Sequence, residues 1–354
     1  MASIVVCGAG AVGASVAYHL ALAGGQGVVL CDRGEIAGGA TGKAFGGVRQ
    51  QFSTAAEVQL AKESLQFFEG LGEPLFQQVG YLFLALSEEG LAALEERRRA
   101  QEELDVRVEA VSGDDVAARF PGVAAGDVFG GVFGPADGVS DPPAVTRELV
   151  RRAVRLGVEV REHTDAREVP GGVRVIACGP WSGEVAAAYG VELPIRPLRR
   201  QLILTSPVDD LSERLPVVIE SETGFHFRRR DRGLLLAMAD TTARWGSEET
   251  VDTTVLPDRL ERLARRLPAA TGASVERAWA GLYDMTPDAH PIIDRPSDEL
   301  VIVCGFSGHG FMQSPAVGKA VAELVLEGGT SLDVSPYRLA RFSEGGVSPE
   351  HVVL

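Results

Sequence analysis

The first 32 residues constrain the fold of this chain more than any other segment. Residues 3–7 form a short apolar run, the hexapeptide GAGAVG follows directly at residues 8–13, and helical spacing covers residues 14–23. A second apolar run, residues 28–31, ends at Asp32, 19 residues after the last glycine of the hexapeptide. This order of strand, glycine turn, helix, strand and acid is the one that a dinucleotide-binding Rossmann unit requires.

Each glycine of the hexapeptide has its own physical role. Gly8 permits a tight turn, Gly10 lets backbone approach a pyrophosphate, and Gly13 lets the helix lie close to the strand. The N-terminus of the helix offers free N–H groups and a partial positive charge to phosphates. Asp32 would accept hydrogen bonds from ribose hydroxyls. The segment therefore predicts a site for an adenine dinucleotide rather than a merely structural turn.

Composition and charge exclude several classes of function. The chain has 354 residues and a formal net charge of −15, which argues against nucleic-acid binding and against an anionic membrane surface. No apolar stretch approaches the length of a membrane-spanning helix. Four scattered cysteines without a CxxC pair indicate buried thiols in a reducing compartment and no metal site. Because the first strand starts at residue 3, we expect no signal peptide and a cytoplasmic protein.

Hydrophobic patterning predicts how the chain is divided. Parallel-sheet units occupy both ends of the chain and recur near residues 143–180, and an antiparallel sheet is indicated by residues 199–206, 216–220, 224–229 and 233–238. We predict an α/β fold (α+β overall) with a discontinuous Rossmann-like domain and an inserted, mostly antiparallel substrate domain. The nucleotide-binding domain is expected at 1–72, 140–194 and 290–354, and the substrate-binding domain at 73–139 and 195–289.

Glycine-rich turns follow three predicted strands, after Cys7, Cys178 and Cys304, and residues 38–49 form a further glycine-rich loop. Ligands of such folds lie at the carboxyl ends of the parallel strands, so we expect these turns to converge on one site. A nicotinamide cofactor rarely needs so many glycine-rich segments, whereas an extended flavin dinucleotide does.

Six linked motifs occur in order along the chain. They are GAGAVG at 8–13, GGATGKAFGGVRQQF at 38–52, CGPWSGEVA at 178–186, PIRPLRRQL at 194–202, GLYDMTPDAHPIID at 281–294 and CGFSGHGFMQSPAVGK at 304–319. Together they resemble the FAD-dependent amino-acid and amine oxidoreductases of the D-amino-acid oxidase family. The resemblance is greatest to the sarcosine-oxidase and proline-dehydrogenase β-subunit branch. Relatives attach flavin at positions that here hold Gly281 and Lys43, which implies non-covalent FAD.

The resemblance also implies which residues hold the cofactor. Those expected at the pyrophosphate and adenosine are Gly8, Gly10, Ala11, Val12, Gly13, Asp32, Arg33, Gly39, Ala40, Thr41, Ala166, Gly179 and Trp181. Those expected beside the flavin ring are Lys43, Ala44, Gly46, Gly47, Val48, Gly305, Gly308, His309, Gly310, Phe311 and Met312. A helix N-terminus after this last turn would stabilise negative charge on a reduced flavin.

The implied reaction removes a hydride from the carbon next to an amine and gives an imine, with a sarcosine-, proline- or glycine-like substrate. Arg49 is the candidate cation for a substrate carboxylate, with a phosphate-binding or surface role as its alternative. Tyr283 and His226 are candidate pocket residues, with a core role as the alternative. Met312 stands where monomeric sarcosine oxidases have a lysine, which favours a bulkier, less polar substrate than sarcosine.

Two classes of function remain open at this point. The first is an FAD-dependent oxidase or dehydrogenase that acts alone or with a second subunit or electron carrier. The second is a flavin-binding assembly or scaffold protein, or a flavin subunit that is inactive without its partner. Reduction of the flavin by a substrate distinguishes them.

Overall fold

A computed structural model of the protein describes residues 4–345 and 349–353. The predicted start of the first strand, Ser3, and parts of the predicted range 290–354 lie outside these residues. The strands, numbered along the chain, are β1 (Ile4–Cys7), β2 (Val28–Cys31), β3 (Gly47–Val48), β4 (Phe76–Gln77), β5 (Tyr81–Ala85), β6 (Glu109–Ser112), β7 (Gly130–Gly134), β8 (Gly138–Ser140), β9 (Glu159–Arg161), β10 (Val173–Ile176), β11 (Arg196–Thr205), β12 (Val217–Glu220), β13 (His226–Arg230), β14 (Gly233–Ala237), β15 (Val275–Met285), β16 (Ile292–Ser297) and β17 (Leu300–Cys304). The helices are α1 (Ala11–Leu22), α2 (Ala55–Leu71), α3 (Glu88–Glu103), α4 (Gly113–Arg119), α5 (Pro142–Arg155), α6 (Ser182–Ala187), α7 (Leu256–Arg266), α8 (Gly310–Glu327) and α9 (Arg341–Glu344).

A six-stranded sheet in the order β16-β17-β10-β1-β2-β9 forms the part of the fold in which the sequence predicts nucleotide binding. Its strands are parallel except for β16 at the edge, which pairs antiparallel with β17. Strands β1, β2 and β17 are short runs of valine, isoleucine and leucine that each end in cysteine and are buried along their whole length, as parallel strands covered on both faces must be. These strands come from separate stretches of sequence, so the predicted α/β class with a discontinuous Rossmann-like unit is confirmed.

Small residues let the helices on this sheet approach each other closely. Gly318 of α8 faces Ser15 of α1, and a Cβ atom at Gly318 would lie 2.7 Å from the Ser15 carbonyl carbon. α5 also packs on α1, and its N-terminus is capped by Asp141, whose carboxylate accepts a hydrogen bond from the Ala144 N–H at 2.8 Å. In the described part of the chain, no helix is both long and apolar enough to cross a membrane.

An eight-stranded sheet in the order β15-β11-β14-β13-β12-β5-β7-β6 forms the second layer. Its pairs are antiparallel except for β12 and β5, which run parallel. The predicted strands at 199–206, 216–220, 224–229 and 233–238 all occur, with ends that differ by up to three residues. The long pair of β11 with β15 places Arg200 opposite Gly281 and Leu198 opposite Tyr283.

A small third sheet joins the two parts of the molecule. Its order is β3-β8-β4, and β8 pairs antiparallel with both neighbours. β3 lies in the predicted range 1–72, whereas β4 lies in 73–139, and β8 itself crosses the proposed boundary at residue 140. The division into residues 1–72, 140–194 and 290–354 against 73–139 and 195–289 stays a prediction.

α8 begins at Gly310 and continues through Pro315, which lies inside the helix. Proline inside a helix has no N–H to donate to the carbonyl oxygen four residues earlier. Here the Ser314 hydroxyl donates to that oxygen, on Phe311, at 2.9 Å, which supplies the missing hydrogen bond. The N-terminus of the helix therefore lies directly after the third glycine turn.

The contact between α1 and α8 predicts the effect of adding one methyl group. Gly318→Ala should lower the free energy of unfolding by about 1–3 kcal/mol, because backbone atoms of Ser15 block the new Cβ. Gly70→Ala is the matched control: it lies in α2 with nothing within 4 Å of its Cβ position and should stabilise by about 0.5–1 kcal/mol. Urea unfolding monitored by circular dichroism measures both; equal effects of the two substitutions would contradict the close packing.

Candidate functional site

A cavity of about 570 Å³ opens at the carboxyl ends of β1, β2, β10 and β17. The glycine turns after these strands form one wall, and a face of β11, β13, β14 and β15 forms the opposite wall. The predicted site residues that line the cavity are Gly8, Gly10, Ala11, Val12, Asp32, Arg33, Gly39, Ala40, Thr41, Lys43, Ala44, Ala166, Gly179, Trp181, His226, Tyr283, Gly308, Gly310 and Phe311. The turns after Cys7, Cys178 and Cys304 thus meet at one cavity.

The first glycine turn leaves bare backbone at the N-terminus of α1. Gly8 has φ +104°, and a Cβ there would lie 2.9 Å from the Ala177 carbonyl carbon. A Cβ at Gly13 would collide with the Gly8 carbonyl, so α1 lies against the turn itself. The Ala11 N–H donates to the Thr41 hydroxyl at 3.0 Å. The arrangement presents helix N–H groups and a partial positive charge to the cavity, which suits a pyrophosphate.

Asp32 is fixed at the end of β2 by two backbone donors. Its carboxylate accepts hydrogen bonds from the Ala9 N–H at 2.7 Å and from the Gly34 N–H at 2.8 Å. Both bonds orient the side chain toward the cavity that it lines. Since each carboxylate oxygen has two lone pairs, Asp32 keeps acceptor capacity for ribose hydroxyls.

A flat surface next to this turn is formed by Trp181 and the backbone of residues 38–41. The Arg33 guanidinium lies 4.9 Å from the centroid of the Trp181 ring, and a Cβ at Gly39 would touch the same ring at 3.4 Å. Ala166 lines the cavity from a short 3₁₀ turn on the adjacent side. A side chain at position 39 would narrow this end of the cavity.

The third glycine turn is held by Asp284, a residue that the sequence analysis did not single out. Its carboxylate accepts a hydrogen bond from the Gly305 N–H at 2.7 Å. Burial raises the pKa of Asp284 to about 6, while hydrogen bonds from the turn oppose this rise. Gly308 has φ +97°, and a Cβ there would lie 2.6 Å from the Tyr283 ring. The turn brings the N-terminus of α8 to the cavity, where its N–H groups have no intrahelical partners.

Arg49, the predicted cation for a substrate carboxylate, does not line the cavity. Its guanidinium donates to the Gln51 carbonyl oxygen and, at 2.7 Å, to that of Val352, and it lies 4.1 Å from the centroid of the Phe52 ring. The side chain is only 2% exposed, and burial lowers the pKa of Arg49. These contacts direct its donors toward the protein interior.

His226 and Tyr283 both line the cavity, on the wall formed by the eight-stranded sheet. His226 Nδ1 lies 2.8 Å from the Gly224 carbonyl oxygen and must carry the proton of that hydrogen bond, which leaves Nε2 as an acceptor. Burial lowers the pKa of His226 to about 4 and raises the pKa of Tyr283. Both side chains are therefore uncharged near neutral pH.

The other predicted residues support the walls from behind. They are Gly13, Gly46, Gly47, Val48, Gly305, His309 and Met312, none of which is among the cavity-lining residues of the described chain. The His309 ring packs edge-on against Phe52 with centroids 5.0 Å apart, and burial lowers its pKa. Met312 packs against apolar cores of both layers. Their assignment to the cofactor stays a prediction.

Arg200 is a cavity-lining residue that the sequence analysis missed. Its guanidinium carbon lies 5.4 Å from the centroid of the Tyr283 ring. The neighbouring Arg199 points to the other face of β11, where it pairs with Asp240 at 2.6 Å. Alternation along the strand separates the two arginines, but the sequence PLRRQL does not say which of them faces the cavity.

The residues of the cavity fit FAD. Backbone N–H groups and Asp32 lie at one end, and at the other an apolar patch of Phe45, Leu202 and Ala237 lies on the sheet wall. At Gly10, a Cβ would lie 3.2 Å from the Thr41 hydroxyl oxygen, so a side chain there would occupy the space between the first glycine turn and Thr41. In residues 4–345 and 349–353, no group of three histidine, cysteine or acidic side chains is placed to hold a metal ion.

Comparisons with known proteins agree with this geometry. The family model described as FAD dependent oxidoreductase (DAO) matches residues 3–324. The FAD-dependent oxidoreductase domain-containing protein 1 of Bos taurus is 30% identical, with 99% of this chain and 87% of that protein aligned. Glycine oxidase of Bacillus subtilis (strain 168) is 29% identical, with 91% and 92% aligned. The crystal structure of L-proline dehydrogenase from P. horikoshii superposes with a TM-score of 0.91 at 28% identity, covering 98% of both chains.

Removal of the Asp32 carboxylate should weaken retention of FAD. Asp32→Ala loses two hydrogen bonds to a charged acceptor and frees the turn, so we expect a dissociation constant raised about 10- to 100-fold. Glu69→Ala, which removes the same charge from an exposed position of α2, is the control. Fluorescence titration of the apoprotein with FAD measures both constants; an unchanged constant for Asp32→Ala would contradict the assignment.

Proposed function

This chain belongs to the family of FAD-dependent oxidoreductases, and we propose that it oxidises the carbon–nitrogen bond of an amino acid or secondary amine to an imine. Several relatives have names that support this class of substrate: glycine oxidase, mitochondrial sarcosine dehydrogenase of Mus musculus, and 4-methylaminobutanoate oxidase of Paenarthrobacter nicotinovorans. The L-proline dehydrogenase with the same fold adds a cyclic secondary amine to them. A scaffold without turnover is not favoured.

The residues on the cavity wall formed by the eight-stranded sheet support this proposal most directly. Phe45, Leu202 and Ala237 give it an apolar surface, whereas Arg200 and His226 place one cation and one neutral acceptor beside that surface. An amino acid has the matching groups: a carboxylate, an amine that donates hydrogen bonds, and a carbon that must lie against the flavin. A hydride moves only over a short distance, and an apolar wall excludes water from its path.

FAD, when bound, supplies the hydride acceptor. The residues of this chain orient the substrate and set the electrostatic environment of the reaction. The N-terminus of α8 lies at the third glycine turn, so its dipole and free N–H groups would stabilise negative charge on a reduced flavin bound there. Hydride loss requires the neutral amine. Because His226 and Tyr283 are uncharged, neither places an anion beside the amine, and His226 Nε2, which has no hydrogen-bond partner among the described residues, can accept a hydrogen bond from the amine N–H.

We further propose that FAD is bound without a covalent link. The positions at which similar enzymes attach flavin hold Lys43 and Gly281, and a Cβ at Gly281 would lie 2.9 Å from the Lys43 Cβ. Neither residue offers a thiol or an imidazole. The four cysteines are unpaired, which is consistent with a reducing compartment and supports a cytoplasmic location. We also propose that the reduced flavin passes its electrons to oxygen or, as the alternative, to a second subunit or electron carrier.

Anaerobic reduction of the flavin tests the proposed function. The purified holoprotein is titrated with glycine, sarcosine, L-proline and a set of D- and L-amino acids while absorbance near the flavin maximum is followed. We expect at least one of these compounds to bleach the flavin band, with the imine or its hydrolysis product formed in equal amount. A flavin that dithionite bleaches but that no amine reduces would overturn the proposal.

A further inference from the structure

Cationic side chains of the described residues line the cavity at four positions, and at three of them a carboxylate lies close by. These three pairs are Arg33 with Glu184, Arg167 with Asp165, and Lys43 with Glu249. The fourth cation is Arg200, which forms no ion pair with any carboxylate in residues 4–345 and 349–353. Its charge is the one on the cavity wall that no protein anion balances within this part of the chain.

The hydrogen bonds of Arg200 also leave its guanidinium incompletely paired. Its Nη1 reaches the Arg199 carbonyl oxygen only at 3.5 Å, and its Nε is buried without a hydrogen-bond partner among the described residues. A guanidinium has five N–H donors, and a buried donor that stays unsatisfied costs about 1–3 kcal/mol. An anion in the cavity would remove this cost and accept two parallel hydrogen bonds from the planar fork.

The surroundings of Arg200 place it beside the third glycine turn. Its guanidinium lies over the Tyr283 ring, which itself packs against Gly308 of the third glycine turn. His226 is close enough that the positive charge of Arg200 adds to burial in lowering its pKa. Among the described residues no salt bridge joins Arg200 to Asp284, whose carboxylate accepts a hydrogen bond from the Gly305 N–H. The cation therefore lies beside the expected ring position.

We propose that Arg200 binds the substrate carboxylate and makes this chain specific for amino acids that carry one carboxylate and an apolar side chain. The inference rests on the proposed function and names its substrate class. Phe45, Leu202 and Ala237 offer the apolar surface for the side chain. Dicarboxylic and basic amino acids are disfavoured, because a second charge would be buried against this surface without a partner.

Arg49 is not placed for the same role. Its donors are taken by the carbonyl oxygens of Gln51 and Val352, and the side chain is outside the cavity-lining residues. To reach a substrate, its guanidinium would have to leave these buried acceptors unpaired. Arg200 requires no such rearrangement.

The test compares each amino acid with its decarboxylated amine. The substrate is the amino acid that reduces the flavin fastest. Arg200→Gln should lower the second-order rate constant of anaerobic flavin reduction on the order of 100-fold, because glutamine cannot donate the two charge-assisted hydrogen bonds of a guanidinium to the carboxylate. Arg200→Lys keeps the positive charge but not the paired guanidinium donors, and it should lower this rate constant about tenfold. The rate constant for the matching amine, which has no carboxylate, should stay within about threefold in both variants.

Arg196→Gln is the matched control. Arg196 lies on the same strand, is exposed, stacks 4.6 Å from the Trp245 ring and does not line the cavity. This variant should leave both rate constants unchanged. An equal loss for the amino acid and the amine in Arg200→Gln, or an equal loss in the control, would contradict the assignment of Arg200.

A binding measurement separates this inference from the proposed function. Benzoate and benzamide are titrated into the oxidised holoprotein, and the perturbation of the flavin spectrum gives each dissociation constant. We expect benzoate to bind the wild type more tightly than benzamide does, and to bind Arg200→Gln on the order of 100-fold more weakly. Benzoate that binds both proteins equally, or perturbs neither, overturns the role of Arg200 even if amines reduce the flavin. Selective loss of benzoate binding without any amine oxidation supports Arg200 while the proposed function fails.

Discussion

The close contact between α1 and the first glycine turn is the constraint on which the rest of the structure depends. A Cβ at Gly13 would collide with the Gly8 carbonyl, and one at Gly8 would meet Ala177 at the end of β10. Only bare backbone lets α1 start directly at the carboxyl end of β1, where its N–H groups reach the cavity. The close packing of α1 on α8 at Gly318 then ties the pyrophosphate end of the site to the turn expected beside the flavin ring.

Much of this architecture was predictable because local sequence determines it. Glycine turns that follow apolar strands indicate both the turn and the edge of the sheet at which it lies, so the convergence of three turns followed from 8–13, 178–186 and 304–319. Hydrophobic patterning predicted the strands β11 to β14 to within three residues of their ends. The residue pattern does not show that α8 starts before Pro315, because the hydrogen bond that the proline cannot donate is replaced by one from the Ser314 hydroxyl.

The substrate side of the site was harder to predict for a physical reason. Alternation shows that Arg199 and Arg200 face opposite sides of a strand, but the partner of each side chain decides which one is structural. Arg199 pairs with Asp240, a contact between segments far apart in sequence, and this leaves Arg200 on the cavity wall. For Arg49, the position after the glycine loop predicted a side chain that faces the cavity. Its guanidinium instead donates to the Val352 carbonyl oxygen in the protein interior.

A crystal structure of the holoprotein with benzoate would show directly where the cofactor and the substrate carboxylate bind. We expect the FAD pyrophosphate at the N-terminus of α1, the flavin ring between the N-terminus of α8 and the β11–β15 wall, and the carboxylate within hydrogen-bonding distance of the Arg200 guanidinium. A flavin ring away from that wall, or a carboxylate bound at Arg49 with Arg200 turned aside, would contradict it.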